Sequence, residues 1–303
     1  QELPSDEGSQ QVTTALNLLN PDDIERIEVI KGAAATTLYG TQANSGVIQI
    51  FTKRGRDGPA VWSFQTTQGI TKLTGNNLGP VIGDDPTWVN IKPWVNNGLT
   101  SKFNGSVRGS TGGVSYYLSG EYSNEEGYFS DQPNGNDSKL ANFRTNLGFQ
   151  PLEGLNLSVN AAYSHRFTNW VQSGDNRYGV ILNLLRSPKN YVSGEDELVF
   201  NQKTTSIDDH FVGGITATYN PIASLTNKFT VGLDWRDGTN DWVIPKDHPI
   251  RPDGWRTLNR WRHTTVTVDY VGTWRSSFRD NFTSLLSFGG QLFNDHDQKH
   301  FGD

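Results

Sequence analysis

From Val61 onward apolar and polar residues alternate with period two, the period of a β-strand whose successive side chains point to opposite faces. Over residues 155–166, Leu155, Leu157, Val159, Ala161 and Tyr163 share one face, and Asn156, Ser158, Asn160, Ala162 and Ser164 share the other. The pattern returns at Val114, Tyr116, Leu118 and Tyr122; at Phe143, Leu147 and Phe149; at Phe229, Val231, Leu233 and Trp235; and at Val266, Val268, Tyr270 and Trp274. It predicts nine strands, at 61–70, 102–110, 114–124, 139–149, 155–167, 208–220, 225–237, 262–276 and 282–294. Runs of about 10 to 14 residues exceed the ~5 to 6 of soluble strands and suffice to cross a bilayer when tilted. Between them, short links at Ser110, Pro151, Pro221 and Phe278 alternate with long ones at 71–101, 125–138, 168–207 and 238–261. Up-and-down barrels of outer membranes sort their connections into short periplasmic turns and long extracellular loops, which a soluble sandwich has no reason to do. The expected fold class is therefore mainly β, a transmembrane antiparallel up-and-down barrel. Nine strands do not close such a barrel, so further strands are expected beyond Asp303 or in another chain.

Residues 1–57 read differently, as the end of a small mixed α/β unit preceding barrel residues 58–303. Asn20-Pro21-Asp22-Asp23 offers an N-cap, Pro at the first helical position and acids in the first turn, so a short helical turn is expected. Ile24, Ile27, Val29 and Ile30 form a β-prone run broken at Gly32; Ala33 to Tyr39 suits a short helix closed by Gly40; Val47 to Thr52 is a second strand. Gly32, Gly40 and Gly46 are read as turn and cap positions with positive φ. A barrel with such a unit to fill its lumen belongs to the large, plugged kind of roughly 22 strands.

Composition narrows the function classes. The net charge of −6 and pI near 5.5 argue against a nucleic-acid partner. Cys is absent, which removes thiol chemistry and disulfides. The sequence begins at Gln1 and holds no Met, and is read as a cut piece lacking a signal peptide. A mean hydropathy of −0.58 is uninformative for a barrel, whose polar interior dilutes the average. Asp208-Asp209-His210, Asp247-His248 and Asn294-Asp295-His296-Asp297 lack metal-site spacing, and no nucleophile elbow or phosphate-binding loop is present, so no enzyme activity, metal or cofactor is expected. Asp- and Asn-rich loops leave Ca²⁺ as an unsupported option.

The run Leu19-Asn20-Pro21-Asp22-Asp23-Ile24-Glu25-Arg26-Ile27-Glu28-Val29-Ile30-Lys31-Gly32, continuing to Tyr39-Gly40, resembles the plug domain of TonB-dependent receptors. Asn44-Ser45-Gly46-Val47-Ile48-Gln49-Ile50-Phe51-Thr52-Lys53-Arg54-Gly55 resembles the closing strand of that plug. The Asn-Pro-Asp-Asp-Ile opening, the Thr-Lys-Arg-Gly ending and Leu184-Leu185-Arg186-Ser187-Pro188 are most similar to the SusC/RagA branch of nutrient importers. The resemblance implies an outer-membrane location, import of an oligosaccharide or peptide, a SusD-like surface lipoprotein as lid, and an inner-membrane TonB/ExbB/ExbD complex that supplies energy. It also implies that the TonB box, the first half of the plug and the later strands are missing, so that the piece alone does not transport.

Two sets of site candidates follow. Trp88, Trp94, Tyr128, Phe129, Trp170, Tyr191, Trp242, Trp255 and Trp261 fall in the expected long loops, where aromatic faces stack on sugar rings, pack the loops or touch a lid. Arg26, Lys31, Lys53 and Arg54 are candidates for ion pairs with carboxylates of the inner wall, Glu121 and Asp269 by their parity. Phe149, Tyr163, Trp235 and Trp274 are read as interfacial girdle. The alternatives are a passive or surface-binding outer-membrane barrel and a secreted β-rich glycan hydrolase with two facing carboxylates.

Overall fold

The computed structural model describes residues 18–32, 44–73, 94–172, 178–180, 200–278 and 282–302. Two antiparallel sheets hold them. The smaller follows a 3-10 turn at Pro21–Asp23, which forms because Asn20 caps it: its side-chain oxygen accepts from the Asp22 N–H at 2.9 Å, and Pro21 has no N–H that needs an acceptor. β1 (Ile24–Ile30) then pairs with β2 (Val47–Thr52). Gly46, at φ +100°, leads into β2 beside the Ile30 carbonyl, where a Cβ has no room; Gly32 has φ +45°. Gly40 lies outside the described residues.

The larger sheet has nine strands in strict sequence order: β3 (Val61–Thr71), β4 (Gly98–Thr111), β5 (Val114–Glu126), β6 (Asp137–Leu152), β7 (Leu155–Trp170), β8 (Lys203–Ile222), β9 (Leu225–Ile244), β10 (Trp255–Phe278) and β11 (Phe282–Gly302). Each neighbour pair is antiparallel, the meander of an up-and-down barrel wall. Its lower turns are tight. Gly112 and Gly113, with φ +56° and +79°, join β4 to β5 with the two left-handed residues that a primed hairpin turn demands.

The wall departs from expectation at its upper end. The links expected at 71–101, 125–138, 168–207 and 238–261 shorten to 72–97, 127–136, 171–202 and 245–254, because the strands continue upward. Alternation marks a strand only where one face meets lipid; higher up both faces are polar, and pairing proceeds without a period-two signal. β10, at 24 residues, is more than twice the ~9 to 11 that a bilayer needs.

Register assigns the faces. Asn104, Glu121, Asn142, Ser164, His210, Arg236, His263 and Asp297 form one cross-strand row. This face touches the small sheet and is the lumen. One position along each strand, Phe103, Tyr122, Ala141, His165, Asp209, Asp237, Arg262 and Gln298 look outward. Outward apolar side chains are widely exposed, with Phe103 at 48%, Phe143 at 55%, Ile215 at 54% and Leu292 at 63%, while Asn104, Ser119, Glu121, Asn146 and Ser164 are buried on the lumen side. So continuous an exposed apolar face suits lipid and not water. Phe149 and Trp274 at the lower edge of this band, and Tyr163 and Trp235 at the upper, all occupy outward positions.

Candidate functional site

The candidate site is the seam where the capped turn meets the lumen face. Because Asn20 and Pro21 fix the turn, Asp22 and Asp23 project together towards β4, β5 and β6. Asp23 accepts from the Tyr117 hydroxyl at 2.7 Å and from Arg144 Nε at 3.1 Å, and its side chain is only 3% exposed. Asp22 accepts from Asn104 Nδ2 at 2.9 Å and lies 3.6 Å from Lys102 Nζ, which also pairs with Glu121 at 3.3 Å. Two further wall residues hold backbone: Asn146 Nδ2 donates to the Lys53 carbonyl at 2.6 Å, and the Ser164 hydroxyl to the Leu18 carbonyl at 3.0 Å. Donors of the wall thus meet acceptors of the small unit, in a setting where an unpaired charge is costly.

The expected polarity is reversed. Glu121 does pair with a cation, but with Lys102 of its own wall. Lys53 turns inward to the Asp22 carbonyl at 2.6 Å, and Arg26 pairs with Glu28 at 2.7 Å and lies over the Phe51 ring at 3.6 Å. Among the described residues, none of Arg26, Lys31, Lys53 and Arg54 is ion-paired with Glu121, Asp269 or another wall carboxylate. Asp269 does face the lumen, opposite Thr230 and Gln291. Arg54, with Asp57, edges a cavity of about 740 Å³ below the seam, lined by Ser115, Gly148, Ser158, Thr216 and Lys228 of the lower wall.

The aromatic candidates divide into two groups. Trp94 and Phe129 pack against Val171, Val180 and Phe200 in an apolar cluster among the upper connections, and the Tyr128 carbonyl accepts from Asn96 there. Trp170, Trp242, Trp255 and Trp261 sit on strands and, by register, face the lumen above the seam. Trp170 donates to Ser206, Trp242 donates to Gln202 and meets Trp255 edge-on at 5.0 Å, and Trp261 lies under the Arg236 guanidinium at 4.8 Å. Arg236 is itself held by Asp208, its Nε 2.9 Å from the carboxylate. Trp88 and Tyr191 lie outside the described residues.

The histidine motifs are taken up in pairs on both faces. His210 meets Asp234 at 2.9 Å and His263 meets Asp297 at 2.5 Å on the lumen side; His165 and Tyr163 share Asp209 on the outside. The sequence reading missed Asp22, Asp23, Lys102, Asn104, Tyr117 and Arg144. Lumen parity was available for the last four, but the two acids had a sufficient local explanation as first-turn residues.

A family model of the TonB-dependent receptor plug domain matches residues 3–47. The chain overlays the chain of a structure of the RagAB peptide transporter with a TM-score of 0.74, at 17% identity, over 97% of this chain and 42% of that one. The fold is shared with that chain, and the segment at its start matches the plug of TonB-dependent receptors. The TonB-dependent receptor SusC of Bacteroides thetaiotaomicron is 46% identical over 54 residues, 18% of this chain and 5% of SusC. The siderophore receptor PirA of Acinetobacter baumannii overlays with a TM-score of 0.57 at 16% identity, covering 92% of this chain and 36% of that receptor. The chain thus spans less than half of the receptor chains it overlays. The plug match takes in the capped turn and β1 of the small sheet, and the nine strands have the fold of the barrel walls they overlay.

Proposed function

We propose that the chain supplies the plug end and part of the wall of an energised importer that carries an oligosaccharide or peptide across the outer membrane. The observation that carries this reading is the seam: Asp22 and Asp23 are held by Asn104, Tyr117 and Arg144 on the lumen face, where a passive pore has no reason to seat a plug. Opening such a closed lumen requires work, and the plug resemblance supplies the machinery, a TonB complex acting from the inner membrane. A SusD-like lipoprotein is the partner expected at the extracellular mouth. The structural neighbour named as a peptide transporter supports a peptide, and the oligosaccharide is what the SusC/RagA resemblance implies. Trp170, Trp242, Trp255 and Trp261 form the ligand-facing wall in this reading, with stacking as the mode of contact.

The test is uptake by the full-length receptor in cells, using labelled oligosaccharides and labelled peptides in parallel, with and without a functional TonB complex. Accumulation of one class that vanishes without TonB supports energised import. Accumulation that persists without TonB would establish a passive barrel instead.

A further inference from the structure

We propose that the outward face of β10 and β11, immediately above the apolar band, binds the phosphate of an outer-leaflet lipid headgroup through Arg260 and Arg262. This rests on the outer-membrane location of the wall and is independent of whether the receptor imports. The level of the site is given by the strands themselves. Along β10 the outward positions run Trp274, Tyr270, Val268, Val266 and Thr264, and then Arg262 and Arg260; along β9, Phe229, Val231, Leu233 and Trp235 give way to Asp237. Charge begins where the upper aromatic row ends, which is the headgroup layer.

The charges are sorted by face. On β11, Asp295 and Asp297 point to the lumen with His263, whereas the outward positions are Asn294, His296, Gln298 and His300. Opposite them stand Val266, Thr264, Arg262 and Arg260. Asp237 is the outward carboxylate that both arginines engage. Arg262 reaches it with Nε at 2.8 Å and Nη2 at 2.6 Å, and Arg260 with Nε at 3.3 Å and Nη2 at 3.4 Å. Its side chain is 11% exposed, against 57% for Arg260 and 42% for Arg262. Asp209, across from Asp237 on β8, is engaged by Tyr163 and His165, so the two guanidiniums share Asp237 alone, and each has five N–H groups, more than that carboxylate engages. Arg262 is further fixed over the Trp235 ring at 5.9 Å. Asp237 and Trp235 therefore act as a base that orients two planar forks outward, the geometry that matches phosphate oxygens. Gln298, within 3.1 Å of His296, extends the donor rim on the neighbouring strand. Arg256, farther up the same face, is matched one to one by Asp241 at 2.9 Å and provides an internal control.

The experiment uses the full-length receptor, stripped of lipid in detergent, with diphosphoryl lipid A as probe and bound lipid read by native mass spectrometry. The expected result is that Arg260→Ala/Arg262→Ala weakens binding about tenfold or more, the loss of one or two charge-assisted hydrogen bonds, and that Arg256→Ala leaves it unchanged. Removing both phosphates from the lipid should weaken binding to the unaltered receptor equally, an arm that does not depend on any variant folding. Equal retention of phosphorylated and dephosphorylated lipid overturns the proposal, as does undiminished binding by a correctly folded double variant. If inorganic phosphate alone protects the receptor as fully as lipid A does, the site serves a free anion and the lipid assignment fails.

Discussion

Asp23 is the residue on which the seam turns. It is a charged side chain nearly removed from solvent, with one hydroxyl and one guanidinium as partners. Breaking a buried pair from one side costs roughly 3 to 5 kcal/mol, because the stranded charge keeps its desolvation penalty. Asp23→Ala should therefore loosen the plug end by about that amount, read as faster proteolysis of residues 18–55 in the folded receptor, whereas Arg26→Ala, an exposed pair, should change it by less than ~1 kcal/mol. An Asp23/Arg144 double-mutant cycle should show strong coupling, and additivity would contradict the pairing. The sequence displayed every participant but not the arrangement. Asp22 and Asp23 already had a reason to be there, completing a capped turn, and the side on which Arg26 and Lys53 leave a two-stranded ribbon depends on packing that local pattern does not encode. Trp94 and Phe129 illustrate the same limit: an aromatic in a connection reads alike whether it packs or binds, and these two pack. At the lumen wall, Trp242→Ala or Trp255→Ala should weaken ligand binding about two- to tenfold, the worth of one stacked ring, measured by calorimetry on the purified receptor.

The strands were legible wherever lipid enforces alternation, and their number and order were readable for that reason. Their upper ends were not, since paired strands clear of the membrane have polar residues on both faces. The outward and lumen faces make a sharp prediction for adjacent residues of β10. Val268→Lys should destabilise the barrel by ~2 to 4 kcal/mol, because its side chain lies mid-band in lipid, and Thr267→Lys, facing the lumen, should cost far less. Unfolding in urea from lipid vesicles checks both, and equal penalties would mean that the register is wrong. Two cross-strand pairs set a second test. The Trp261 ring covers Gly238 on the lumen side and the Phe288 ring covers Gly272 on the lipid side, each ring occupying the space of a missing Cβ. Gly238→Ala and Gly272→Ala should each cost about 1 to 3 kcal/mol by overpacking, seen as a lower temperature for loss of the compact form on gels.

As a whole the molecule is a lumen-facing polar surface with a plug end fastened to it, wrapped outside by an apolar band and capped by charge at the headgroup level. Each layer follows from the one before: a bilayer requires every backbone group paired, pairing makes a meander, and alternation leaves one wet face that accepts the plug. The docking of plug on wall is the claim on which the proposed closure, energised opening and import rest. It is tested most directly by disulfide trapping in the full-length receptor, for which this cysteine-free segment is a clean background. Asp22→Cys paired with Asn104→Cys, residues whose side chains touch at 2.9 Å, should cross-link on mild oxidation in intact cells. Asp22→Cys paired with Phe103→Cys, the outward neighbour, should not. Failure of the first pair, or cross-linking of the second, would contradict a plug held against the lumen face.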